Sequence, residues 1–122
     1  NLILIKAGDF MPSILSFLDP KDHGKGIYLI MGSGGFEEGI LAAVAGKALG
    51  AHVEGRGWSG DPEIAKKYQK IWSVNDLVSG KVEDCLVSIT AITLENKWFD
   101  LAPLTTLTVD KDGVNISKQI HH

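Results

Sequence analysis

The sequence predicts a three-layer α/β domain with a mixed, mostly parallel sheet, helices on both faces and antiparallel strands towards the C-terminus. Short apolar, β-branched runs alternate with helical patterns in the first half, which is typical of parallel strands joined by crossover helices. The last third is rich in strand-forming residues. A length of 122 residues, 44% of them hydrophobic and 22% charged, suits one globular domain. We predict that this domain occupies residues 1–120, and we interpret His121 and His122 as a tag remnant or a native end.

Charge and cysteine content exclude several classes of protein. Twelve Lys and Arg against fifteen Asp and Glu give a net charge of -3, and no basic block marks a surface for DNA or RNA. No apolar run approaches the roughly 18 residues of a membrane span. We therefore expect no nucleic-acid partner and no membrane partner. The single cysteine, Cys85, cannot form an internal disulfide, so we expect a buried thiol in the reducing cytoplasm.

The first predicted strand and helix open the chain. Residues 2–5 have the pattern of a strand buried in a parallel sheet, and 10–18 the apolar spacing of a short helix. Asp9 is the candidate N-cap of this helix, and Pro12 suits its first turn. Because the sequence starts directly in a strand, we expect the chain to be a fragment of a longer polypeptide.

A second strand, a glycine loop and a longer helix follow. Residues 27–31 predict another buried strand and 37–49 a helix that ends at Gly50. That helix is apolar on nearly all sides, so we expect it to be covered on two sides. Gly39 and Gly46 lie inside it, which indicates close approach of a neighbouring backbone.

The elements after Gly50 are shorter. Residues 52–54 predict a strand, and 61–71 a surface helix with Asp61 as N-cap and Pro62 at its first position. A helical turn is expected within 73–78. We interpret the tryptophans as core or interface anchors, because we see no basic residues interleaved with them as in a base-stacking platform: Trp58, Trp72 and Trp98.

The C-terminal third predicts an antiparallel end to the sheet. Its strand-rich segments are 82–93, 104–109 and 114–120. The sequence Asp-Lys-Asp-Gly at 110–113 is a hairpin signal between the last two. This part of the chain therefore predicts a meander rather than crossover units.

The glycine loop at 32–35 is the main candidate site. Its backbone N–H groups stand before a helix N-terminus, where the helix dipole favours a phosphate or a carboxylate. The loop matches neither the dinucleotide-binding pattern nor the P-loop pattern, so a glycine turn without a ligand is an equal alternative. Glu37 and Glu38 either stabilise the helix dipole, the default for such a pair, or hold a metal ion that a phosphate also contacts.

A second candidate loop follows the first predicted strand. If the two strands are neighbours, Ala7, Gly8 and Asp9 face the same crevice as the glycine loop, at the edge where doubly wound sheets bind ligands. Asp9 then has two alternative roles, as a helix N-cap or as a ligand for a sugar hydroxyl or a metal-bound water. His23 and His52 have no metal-ligand spacing, and we interpret both as surface residues.

Three segments together carry a family resemblance. They are Gly-Ser-Gly-Gly-Phe-Glu-Glu-Gly-Ile-Leu-Ala-Ala at 32–43, Leu-Gly-Ala-His-Val-Glu-Gly-Arg at 49–56 and Asn-Asp-Leu-Val-Ser-Gly at 75–80. In this order they resemble the C-terminal half of class II fructose-1,6-bisphosphatases. The resemblance implies a sugar-bisphosphate phosphatase of gluconeogenesis, related in fold to inositol phosphatases, in which Mn²⁺ or Mg²⁺ activates water and neutralises the phosphate that is cleaved.

The resemblance also implies roles for individual residues. Glu38 matches the metal-binding glutamate of the family, and no residue of this chain is implied to be catalytic. Contacts to the phosphorylated sugar are implied for Gly8, Asp9, Gly34 and Gly35. Ala7 stands where the family has aspartate, and Phe36 and Glu37 stand where it has alanine and proline.

The resemblance places the other metal ligands in an N-terminal part that this sequence does not contain. We therefore expect the isolated chain to be inactive, and we expect as partner either the missing N-terminal domain or a second copy of the chain. The alternative is a diverged, non-catalytic domain that binds a sugar phosphate or serves in assembly, which Ala7 and Phe36 favour. A purely structural domain is a third alternative.

Overall fold

The computed structural model of the chain describes residues 2–6, 10–18, 26–91 and 105–118, and within them helices and strands are mixed, as the predicted α/β class requires. The helices are α1 (Phe10–Ser16), α2 (Phe36–Ala48), α3 (Pro62–Ala65) and α4 (Val74–Leu77). The strands are β1 (Glu54–Gly55), β2 (Trp72–Ser73), β3 (Val87–Thr90), β4 (Thr105–Asp110) and β5 (Gly113–Lys118). Two 3₁₀ turns occupy Lys66–Tyr68 and Val82–Asp84.

The larger sheet is the antiparallel meander β3-β4-β5. Burial alternates along β4, with Thr105, Leu107 and Val109 facing the core, because successive side chains of a strand point to opposite faces. The predicted hairpin closes β4 onto β5 by pairing Asp110 with Gly113, whose φ of 119° suits glycine. The antiparallel end of the sheet is thus confirmed, although the residues at 82–84 form a 3₁₀ turn instead of a strand.

The core lies between this sheet and two helices. Ile14 and Leu15 of α1 and two alanines of α2, Ala45 and Ala48, form one core cluster with the inward side chains of the strands. Cys85 is buried here, and its thiol donates a hydrogen bond to the Lys81 carbonyl at 3.2 Å. The expectation of a buried, unpaired thiol is confirmed.

The second half of α2 is enclosed on more than one side. Its buried positions, Ala43, Ala45 and Ala48, lie on different faces, because the helix contacts α1 and the sheet as well as α4. A Cβ atom at Gly46 would lie 2.6 Å from Cγ2 of Val53, so the predicted close approach exists there, to a side chain instead of a backbone. At Gly39 the prediction is wrong, since no described atom lies within 4 Å of a Cβ position.

The mostly parallel, three-layer sheet is not confirmed. Residues 2–5 and 27–31, predicted as buried parallel strands, form no strand in the described ranges, and most of their large side chains are exposed. Leu4, Tyr28 and Met31 are 87%, 83% and 85% exposed. A strand of a parallel sheet is buried by neighbouring strands and by helices on both faces, and the sheets among the described residues are both antiparallel.

The segment after α2 differs in detail from its prediction. The strand expected at 52–54 is the two-residue β1, which pairs antiparallel with β2. The helix expected to run to residue 71 ends as an α-helix at Ala65, and the chain leaves the 3₁₀ turn to enter β2. Asp61 is the predicted N-cap, accepting hydrogen bonds from the N–H groups of Glu63 at 2.8 Å and Ile64 at 3.4 Å. No helix in the described ranges is long and apolar enough to cross a membrane.

Candidate functional site

The glycine loop ends in a locally fixed arrangement at the start of α2. Gly35 is the N-cap, with an extended backbone at φ -65° and ψ 154°. Its N–H donates a 3.0 Å hydrogen bond to Oε2 of Glu38, three residues later. A capping box consists of two hydrogen bonds, and only this one forms here, because the second requires a side chain at the N-cap and glycine has none. Glu38 is therefore held beside the backbone of the loop.

Both acidic residues of the first turn approach the same point. A Cβ atom at Gly35 would lie 3.4 Å from Oε2 of Glu38 and 3.6 Å from Oε2 of Glu37. Glycine thus leaves space that any other residue would fill between the loop and the two carboxylates. The loop, including Gly34, and both glutamates are solvent-exposed. The structure brings together Gly35, Glu37 and Glu38.

The two carboxylates are the right type of ligand for Mn²⁺ or Mg²⁺, but they are too few to fill its coordination sphere. Carboxylate oxygens are the ligands that these hard cations prefer, and Glu38 has a second oxygen and further lone pairs beyond its bond to Gly35. No group of three or more His, Cys, Asp or Glu that could hold a metal occurs in the described ranges. Glu37 and Glu38 therefore supply part of a metal site.

The second predicted loop lies outside the described residues. Gly8 and Asp9, predicted to contact substrate, and Ala7 all fall there, as do His23 and Trp98. Their approach to the glycine loop stays a prediction. His52 is on the surface as expected, with its Nε2 atom 3.1 Å from Oε1 of Glu54.

Exposed apolar side chains occur in two segments, one at residues 2–4 and one at residues 28–36 on either side of the glycine loop. We call them the apolar strip, and it comprises Leu2, Ile3, Leu4, Tyr28, Leu29, Met31 and Phe36. Ile27 of the same stretch packs against the core, so the segment has one covered side and one bare side. Large apolar side chains left exposed in such number indicate an interaction site.

A cleft of about 450 Å³ was not predicted from the sequence. It is lined by Arg56, Gly57, Trp58, Pro62, Ala65, Lys66 and Gln69. Trp58 is not a core anchor, because its side chain is 76% exposed, and its alternative role as an interface anchor stays a prediction. Basic residues do accompany the aromatic ones here, and Nζ of Lys70 lies 4.2 Å from the centre of the Trp72 ring.

The sequence contained a signal for this cleft. Between residues 56 and 72 the chain has four Lys or Arg and two Asp or Glu, although the whole protein is acidic. Three aromatic residues fall in the same interval. The basic and aromatic residues are spread over 17 positions, and the pairing of β1 with β2 brings the two ends of the interval together.

The family model and the individual relatives that match this chain belong to the same group of proteins. Residues 1–97 match the family described as "Bacterial fructose-1,6-bisphosphatase, glpX-encoded". Two relatives, from Synechococcus sp. strains JA-3-3Ab and JA-2-3B'a(2-13), are each named "D-fructose 1,6-bisphosphatase class 2/sedoheptulose 1,7-bisphosphatase". Each is 33% identical over an alignment of 111 residues that takes in 74% of this chain and 30% of the relative. The chain therefore spans less than a third of the length of either relative, and no solved structure matches it.

Proposed function

Since the chain belongs to the glpX-encoded bacterial fructose-1,6-bisphosphatase family, we propose that it supplies one side of a metal-dependent sugar-bisphosphate phosphatase site. The observation that carries this proposal is the position of Glu38, whose carboxylate is bonded to the N–H of Gly35 inside the matched segment. The proposed reaction is hydrolysis of a phosphate monoester of a sugar bisphosphate in carbohydrate metabolism. Its proposed setting is the cytoplasm, which suits the free thiol of Cys85.

The residues of the loop have distinct proposed tasks. Gly34 and Gly35 let a phosphate approach the backbone closely, and the N-terminal end of the 13-residue α2 favours its negative charge. Glu38, with Glu37 beside it, holds Mn²⁺ or Mg²⁺. The bond to Gly35 fixes the direction of the Glu38 carboxylate before a metal arrives. When bound, the metal would neutralise the phosphate and lower the pKa of the attacking water.

The site needs a partner to be complete. Two neighbouring carboxylates do not fill the coordination sphere of Mg²⁺, and the described residues offer no third ligand to them. We propose that the remaining ligands come from the part of the family that this chain does not cover, with Gly8 and Asp9 facing the substrate. The isolated chain is then inactive. The apolar strip is the proposed contact surface for that N-terminal part, where 2–5 and 27–31 would join a parallel sheet.

The second candidate is a non-catalytic domain that binds a sugar phosphate or serves in assembly. Two residues favour it: Ala7, which stands where the resemblance implies an aspartate, and the exposed Phe36 beside the two glutamates. The two candidates differ in whether binding of a phosphorylated sugar depends on a metal held by Glu38.

Calorimetry separates the two candidates. The chain is titrated with fructose 1,6-bisphosphate and with inorganic phosphate, with and without Mn²⁺. Phosphatase function predicts Mn²⁺-dependent binding that weakens by at least about tenfold in both Glu38→Ala and Glu38→Gln, because an amide is a poor ligand for a hard cation. Glu83→Gln, an exposed carboxylate in a 3₁₀ turn, is the matched control and should bind like the parent.

The pair of Glu38 variants also separates ligation from capping. A glutamine at the third helical position can still accept the Gly35 N–H, whereas alanine cannot. Only Glu38→Ala should lose stability, by about 0.5 kcal/mol, measured by urea unfolding. Binding that gains nothing from Mn²⁺ in the parent chain would favour the non-catalytic domain, and a lack of binding under all conditions would leave a structural or assembly role.

A further inference from the structure

We propose that the cleft between Arg56 and Gln69 is a second binding site, for a phosphorylated sugar, that uses neither Glu38 nor a metal ion. Its lining belongs to the loop after β1, to α3, to the following 3₁₀ turn and to Gln69 directly after that turn, and includes no residue of the glycine loop. The volume of about 450 Å³ lies in the range of small-molecule sites.

Both walls of the cleft are fixed by packing and hydrogen bonds. A Cβ atom at Gly57 would lie 2.7 Å and 2.8 Å from Cβ and Cγ of Tyr68, so the loop lies directly against the 3₁₀ turn at a point where only glycine fits. On the other side, Asp61 caps α3 through two backbone N–H groups. A ligand would therefore meet a cleft already formed, at a low cost in ordering the chain.

The cleft offers a cation without a partner. Among the described residues no hydrogen bond or ion pair engages the guanidinium of Arg56, whereas Nζ of Lys66 lies 2.6 Å from Oε1 of Glu63. A guanidinium presents paired N–H donors that match two oxygens of a phosphate. Lys66 adds positive charge that Glu63 partly offsets. The charge arrangement therefore selects a phosphate group and places it near Arg56.

The remaining lining suits a sugar ring. Trp58 presents an exposed indole to the cleft, and the amide of Gln69 can both donate and accept hydrogen bonds. An indole covers the apolar C–H face of a sugar while the amide pairs with a hydroxyl. The combination of Arg56, Trp58 and Gln69 thus recognises a phosphate and a ring on the same molecule.

The test is a metal-free NMR titration of the full chain with glucose 6-phosphate, inorganic phosphate and glucose. We expect saturable shifts at the Arg56 side chain and the Trp58 indole with glucose 6-phosphate. Arg56→Gln should weaken binding of glucose 6-phosphate and of inorganic phosphate by about tenfold. Trp58→Ala should weaken the binding of glucose 6-phosphate more than the binding of inorganic phosphate. Glu63→Gln should strengthen the binding of both ligands, because it frees the ammonium group of Lys66 from its ion pair with Glu63.

Two controls make the result specific. Lys70→Gln also removes one positive charge, but this side chain lies over Trp72 and does not line the cleft. The affinity for glucose 6-phosphate should therefore stay within about twofold of that of the parent chain. Glu38→Gln should also leave it unchanged, which separates this site from the glycine loop. Three outcomes would each overturn the proposal. They are an equal loss of affinity in Lys70→Gln and Arg56→Gln, chemical-shift changes confined to residues 32–38, and binding that does not saturate at millimolar ligand.

Discussion

Glu38 is held in one direction by a bond to its own helix. Its Oε2 accepts the N–H of Gly35, which leaves Oε1 and the remaining lone pairs for a metal ion. The same bond also occupies one of the loop donors that a phosphate would otherwise use. Binding of an anion through the N–H of Gly35 must therefore displace Glu38 from that donor, whereas a cation held by Glu38 would offset the repulsion between the carboxylate and the anion.

Asp76 sets a pH dependence of stability. The backbone N–H of Ser73 and, second, its hydroxyl donate to the Asp76 carboxylate and lower its pKa below the usual 3.8. A lowered pKa in the folded state stabilises the fold above the unfolded value, and this contribution is lost as pH falls through the folded pKa. Urea unfolding should show the parent more stable than Asp76→Ala at pH 7, with a difference that shrinks as pH falls through the folded pKa of Asp76. Glu83→Ala controls for the lost charge, and a difference independent of pH would contradict the assignment.

At the scale of the element, two glycines of α2 have opposite surroundings. A Cβ at Gly46 would press on Val53, whereas the Cβ position at Gly39 is open among the described atoms. Alanine gains about 1 kcal/mol of helix propensity at either position, but overpacking costs about 1–3 kcal/mol where space is lacking. Gly39→Ala should therefore raise the melting temperature and Gly46→Ala lower it. Circular dichroism measures both, and shifts of the same sign would show that packing at Gly46 does not decide the outcome.

Elements specified by local sequence were predictable and those specified by distant contacts were not. The cap at Asp61 and the hairpin at 110–113 depend on residues within one turn, and both were predicted. An apolar run such as 27–31 has the pattern of a buried strand, but only a paired neighbour and a covering layer make it one. The cleft at Arg56 was missed for a related reason, because its lining meets through the pairing of β1 with β2.

On the scale of the whole molecule, the apolar strip is the feature that the rest of the chain does not explain. The core lies on one side of the meander sheet and is closed by α1 and α2. Within residues 27–31, Ile27 packs against that core, whereas Tyr28, Leu29 and Met31 are exposed. Since the chain covers 30% of its relatives, a layer from the remaining family sequence is the proposed cover.

Without that layer the isolated chain should cover the strip with a second copy. Sedimentation velocity over a rising concentration series should show a growing sedimentation coefficient for the parent, because burying apolar surface favours association. Leu29→Lys combined with Met31→Lys should keep the chain monomeric and its melting temperature unchanged, since both side chains are already exposed. Val82→Lys with Ile116→Lys adds the same charge at exposed positions outside the strip and should associate like the parent. A parent that stays monomeric at the highest concentration, or a control that dissociates equally, would mean that the strip does not drive contact between copies.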